Sequence, residues 1–201
     1  MSNSEPTKPI DSTTTTAAQP ISAPPSPVTL GTLVTGFGPF GSFAANPSSQ
    51  LAAECGRPFE ILEVSYAAVD QFLKLLPIDS FDLLVMLGVA GQSQRMRLET
   101  VARNWVETTP DVRGAILGPG PIDPDAPSQF SLSPSHSFPR NEHWEASVDA
   151  GEYLCNYISF RAWRRFPTKR LHFIHVPPFE ALPPEIQLAE LGRLLRLLER
   201  T

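Results

Sequence analysis

Short apolar runs alternate along the chain with segments of helical spacing. Leu33-Val34-Thr35 is an apolar strand that runs into a Gly-Phe-Gly-Pro-Phe-Gly turn at 36–41. Asn46-Pro47 then opens a helix: Asn offers an N-cap oxygen, Pro suits the first helical position, and Gly56 after Cys55 is the stop. Residues 59–66 alternate like a strand, and 68–76 have the spacing of a short amphipathic helix. Phe81–Val89 (FDLLVMLGV) is almost continuously apolar, the pattern of a strand covered on both faces. The pattern predicts a further strand at 98–102, a helix at 151–166, a strand at 171–176 ended by Pro177-Pro178, and a Leu-rich helix at 184–200. Strands alternating with helices predict an α/β fold with a mainly parallel sheet. In such sheets, sites collect at the C-terminal ends of the strands.

Proline divides this pattern. The chain holds 22 prolines in 201 residues, roughly twice average usage. Six lie in 1–28, with five Ser, five Thr and no aromatic residue. Such a stretch buries too little apolar surface to offset its ordering entropy, so it is expected to be a disordered tail. It has neither the basic start nor the continuous apolar run of a secretory leader. A second Pro/Ser-rich stretch, 109–140, is expected to be a long surface loop inside a domain spanning 29–201.

Charge and cysteine content narrow the function. The formal charge is −5, with no basic run, which argues against nucleic acid as the main partner. No apolar stretch approaches the roughly 18 residues of a membrane span. Two cysteines a hundred positions apart, Cys55 and Cys155, exclude a disulfide scaffold and a zinc knuckle. A cytoplasmic globular protein is the expectation.

Three residues could carry chemistry. Cys155 follows the Ala150-Gly151 turn at the start of a predicted helix. There, free N–H groups and the positive dipole end favour a thiolate; a small buried hydrophobe is the alternative. His175 ends an apolar strand just before two prolines, where an imidazole base could serve a thiol. His172, three positions earlier, falls on the opposite face. His136 and His143 lie in the irregular stretch and are expected to be solvated. Glu99 sits in apolar β-type surroundings, where a carboxylate needs a partner; it could orient an imidazole or form a surface ion pair. The Phe-rich turn lacks the spacing of a phosphate cradle and suggests a small apolar pocket.

Four pieces, in order, resemble the pyroglutamyl peptidase I family. They are Val34-Thr35-Gly36-Phe37-Gly38-Pro39-Phe40-Gly41 with Asn46-Pro47; Leu87-Gly88-Val89-Ala90-Gly91 with Leu98-Glu99 and Val101-Ala102-Arg103-Asn104; Ser147 through Asn156 around Cys155; and Phe173-Ile174-His175-Val176-Pro177-Pro178. The resemblance implies a single three-layer α/β/α domain with a twisted central sheet. It implies a cysteine-type omega-peptidase that removes N-terminal 5-oxoproline from peptides, without metal or organic cofactor. Cys155 would be the nucleophile, His175 the base then acid, and Glu99 the group orienting the imidazole. Phe37 and Phe40 would wall the pyroglutamyl ring, with Asn46 nearby. Many bacterial members carry Gly-Arg where this chain has Gln92-Ser93-Gln94, with an Arg at 95. A catalytically weak homologue that binds peptides or a protein partner, and a thiol hydrolase of other acyl specificity, fit the same residues. So does assembly into a homo-oligomer.

Overall fold

The computed structural model describes residues 1, 31–41, 43–131, 138–139 and 141–200. The expected tail at 1–28 lies almost wholly outside them, as does His136. The main sheet has six strands, β1 (Gly31–Phe37), β2 (Phe59–Leu62), β3 (Phe81–Val89), β4 (Met96–Glu99), β7 (Trp144–Ser147) and β8 (Arg170–Val176). Their spatial order is β2-β1-β3-β8-β4-β7. Only the β4–β8 pairing is antiparallel; the other four are parallel.

Two helices cover each face. Along β3, Leu83, Val85 and Leu87 face the layer of α1 (Pro47–Glu54) and α4 (Pro184–Leu198), where they meet Leu51, Leu191 and Leu195. Leu84 and Met86 face α2 (Tyr66–Leu75) and α3 (Leu154–Arg165), where they meet Val69, Leu73 and Ile158. The period-2 alternation of a strand therefore puts apolar side chains into both cores. That explains why residues 83–87 are almost wholly shielded.

Most expected elements are present, with instructive differences. Asn46 caps α1 through its side chain, Pro47 is its first residue, and Gly56 follows it at φ +72°. The strand expected at 59–66 ends at Leu62, because the Ser65 hydroxyl accepts from the Ala68 N–H and starts α2. The strand expected at 98–102 is two strands. At Thr100 both the N–H and the hydroxyl bond the Ser147 carbonyl, and the chain leaves the main sheet. Beyond it β5 (Val101–Arg103) pairs with β6 (Gln129–Ser131), a strand inside the expected 109–140 loop. The helix expected from 151 begins at Leu154, after an extended Tyr153.

Candidate active site

The C-terminal ends of β1, β3 and β8 face the first turn of α3, and β4, which runs the other way, brings Glu99 to His175. Cys155 is the second residue of that helix. The N-cap, Tyr153, makes no side-chain capping bond, so the helix start points backbone N–H groups toward the sulfur's surroundings. Asn156 anchors this end. Its side chain accepts from the Arg103 N–H and donates to the carbonyls of Arg103 and Trp105, so β5 is fixed beside the thiol.

Glu99 and His175 meet although 76 positions separate them. In the antiparallel β4–β8 pairing Glu99 stands opposite Phe173, so His175 is its diagonal neighbour on the same face. His175 Nδ1 lies 2.8 Å from Glu99 Oε1. A carboxylate only accepts, so Nδ1 carries the hydrogen and Nε2 is left for the thiol side. Both groups are buried, at 7% and 1% exposure. Burial alone would push the imidazole down; the Cys155 sulfur and then the Glu99 carboxylate outweigh it and hold His175 at about 9. Among the described residues, Glu99 Oε2 has no hydrogen-bond partner.

Space for the sulfur comes from a glycine. Gly88 stands opposite His175 across β3–β8. A Cβ there would lie 2.7 Å from Cys155 Sγ and 2.7 Å from Phe173 Cζ. Phe173 in turn packs edge-on against His175, with ring centroids 5.0 Å apart.

A cavity of only about 20 Å³ lies beside the thiol, lined by Phe37, Phe40, Asn46, Val64, Val89, Tyr153, Leu154 and Cys155. That is far below the roughly 300–1,000 Å³ of sites for drug-sized ligands. Phe37 and Phe40 are therefore on its wall, as the turn sequence suggested. The Asn46 side chain is committed to the turn. It accepts from the Ser48 N–H at 3.0 Å and donates to the Gly38 carbonyl at 2.9 Å. Sequence reasoning passed over Val64, Gly88, Val89 and Tyr153. Only Tyr153 carried a usable signal, its place two residues before Cys155.

His172 points away from the site, as the strand period required. It is partly buried, its Nδ1 is enclosed without a partner among the described residues, and burial pushes it down to about 4. Cys55 sits at the C-cap of α1 and donates to the Ala52 carbonyl. Burial pushes its thiol up. His143 lies beside Glu142 on the segment entering β7, and its carbonyl accepts from the Met96 N–H. Among the described residues, no cluster of His, Cys, Asp and Glu is placed to hold a metal ion. No helix among them is long and apolar enough to cross a membrane.

The family model described as pyroglutamyl peptidase matches residues 30–187. The chain belongs to the pyroglutamyl peptidase family. Members are hydrolytic enzymes. The pyrrolidone-carboxylate peptidase of Thermococcus kodakarensis is 32% identical over 166 residues, covering 72% of this chain and 80% of the relative. That of Streptomyces coelicolor is 30% identical over 198 residues, covering 84% and 92%. Among solved structures, the pyrrolidone carboxyl peptidase of Thermococcus litoralis superposes with a TM-score of 0.74 at 24% identity, covering 85% of this chain and 96% of that one. The enzyme of Thermus thermophilus gives 0.67 at 28%, covering 83% and 98%. The mixed, mostly parallel sheet with its four helices is thus the architecture of this family.

Proposed function

We propose that the protein is a cysteine-type omega-peptidase that removes N-terminal pyroglutamate from peptides through a thioester intermediate. The observation that carries this reading is the buried 2.8 Å Glu99–His175 pair beside Cys155, at the mouth of a small, Phe-walled pocket.

Pyroglutamate is a flat five-membered lactam with no charge at its amino end. Phe37 and Phe40 give the small cavity beside Cys155 an apolar wall of the kind that ring needs, and its volume leaves no room for a long side chain. A site that pairs the lactam N–H and C=O discriminates strongly against residues lacking those atoms. Asn46 contributes by holding the turn in place.

The chemistry then runs as acyl transfer. His175 Nε2 takes the Cys155 proton, and the sulfur attacks the carbonyl that joins pyroglutamate to the next residue. The tetrahedral oxyanion accepts hydrogen bonds from N–H groups at the start of α3. Its collapse breaks the C–N bond, and His175 gives its proton to the departing amine. Glu99 keeps the ring oriented and stabilises the imidazolium. Water, deprotonated by His175, then cleaves the thioester and releases free pyroglutamate.

The test is release of a fluorophore from a pyroglutamyl amide under reducing conditions. Wild type should turn over; Cys155→Ser and His175→Ala should not. A well-folded wild type that cleaves other acyl amides but not the pyroglutamyl one would overturn the substrate assignment.

A further inference from the structure

Two walls of the cavity beside Cys155 stand on chain outside helix and strand. Val64 lies between β2 and α2, and Tyr153 just before α3. Residues 107–115 fasten both. On the Val64 side, the Val112 N–H donates to the Val64 carbonyl at 3.2 Å, and Arg113 pairs with Glu63. On the Tyr153 side, the Tyr153 hydroxyl donates to the Pro110 carbonyl at 3.1 Å, and the Glu107 N–H to the Glu152 carbonyl at 3.0 Å. Tyr66 bridges the two sides. Its ring meets that of Tyr153 edge to face, and its hydroxyl donates to the Thr109 carbonyl at 3.3 Å.

Asp111 is the hub of this strap. Its side chain is buried, at 6% exposure. One carboxylate oxygen accepts from the Arg113 and Ala115 N–H groups at 2.8 and 2.9 Å and closes the strap's own turn. The other accepts at 3.0 Å from the Tyr66 N–H, the first of α2, which no bond within the helix could satisfy. One side chain thus shapes the strap and ties it to the chain that carries Val64. None of these bonds involves Glu99, His175 or Cys155. At about 20 Å³ the cavity has room for about one water, so a lactam ring enters only as the walls part. The segments of Val64 and Tyr153 can part only as far as their common strap yields. We propose that Asp111 is a positioning residue that limits how far these two walls separate, and so selects the five-membered ring over a larger one. This rests on the pyroglutamyl reading above.

The experiment compares kcat/KM, within each protein, for the fluorogenic amides of pyroglutamate and of the six-membered lactam one methylene larger. Wild type should prefer the five-membered ring by at least about tenfold, the low end of what one methylene is worth to a fitted pocket, and Asp111→Asn by less than about threefold. Asn keeps an oxygen for Arg113 and Ala115 but turns its NH2 toward the Tyr66 N–H, so the tie to the wall is lost while the strap's turn remains. Tyr153→Phe removes the bond to the Pro110 carbonyl and supplies an independent check should Asp111→Asn fold poorly; its preference should fall in the same direction. A wild-type preference retained in the folded variants, even beside a lowered melting temperature, leaves the strap a purely structural role and overturns this proposal. Equal cleavage of both rings by wild type also overturns it, and either result leaves the pyroglutamyl reading standing. Failure of folded wild type to cleave either amide overturns both.

Discussion

Adding one methyl group at Gly88 should disable the site without unfolding the protein. In Gly88→Ala the new Cβ would sit 2.7 Å from Cys155 Sγ and 2.7 Å from Phe173 Cζ, where ordinary contact begins at 3.4–4 Å. The shortfall is 0.7–1.3 Å on each side. Phe173 is fully buried and cannot retreat freely. If it does move, its edge-on contact carries His175 with it. If it holds, the sulfur must move instead. Either way the Cys155–His175 geometry changes by about 1 Å, and between a proposed nucleophile and its base such a displacement can cost on the order of 100-fold in rate. Overpacking by one methyl should cost only about 1–3 kcal/mol of stability, so the variant should remain folded. The assay is kcat/KM on a pyroglutamyl fluorogenic amide, read beside a thermal melt. A folded Gly88→Ala protein with wild-type activity would refute the claim that this glycine makes room for the sulfur.

Other consequences follow from the same geometry. Asn46→Ala removes the cap of α1 and the bond to the Gly38 carbonyl. It should cost about 1 kcal/mol from the cap, seen in denaturant unfolding, and raise KM by loosening the Phe37–Phe40 turn. His172 has a folded pKa of about 4 against 6.5 unfolded. Its unfolded form therefore binds protons more readily, so its stabilising contribution is intact above about 6.5 and lost as pH falls toward 4. The loss is at most about 3.4 kcal/mol, from the fall of 6.5 to about 4 at about 1.36 kcal/mol for each tenfold change. Urea unfolding at pH 7 and pH 4.5 should show it, and His172→Gln should lose less between the two. Iodoacetamide should modify Cys155 faster than Cys55 at neutral pH, because burial raises the Cys55 thiol and the α1 C-terminus disfavours its thiolate. Equal rates by peptide mapping would contradict an activated Cys155.

The parts of the fold visible in the sequence are those whose cause is local. Phe81–Val89 is a strand to the residue, because a run that is apolar but for Asp82 near its start fits a strand covered on both faces. The Asn46–Pro47 start of α1 is equally local. Thr100 shows the opposite case: nothing in its neighbours foretells that Ser147 will draw the chain off the main sheet. β7 has only one fully buried side chain, Trp144, and exists through its pairing with β4 and the Trp144–Glu190 hydrogen bond. The residues of the site were legible singly, through residue type and place at element ends. Their assembly was not, since the Glu99–His175 bond depends on the register of β4 against β8, 76 positions apart. The role of Gly88 likewise exists only once β3 and α3 are packed.

Trapping the acyl-enzyme tests the central claim most directly. Wild type mixed with a pyroglutamyl ester and quenched in acid should carry a pyroglutamyl group on the peptide containing Cys155. The group should be released by hydroxylamine, as a thioester is, and should be absent from Cys155→Ala. Rapid hydrolysis of the ester by the Cys155→Ala protein, with no adduct on the wild-type cysteine, would contradict the account.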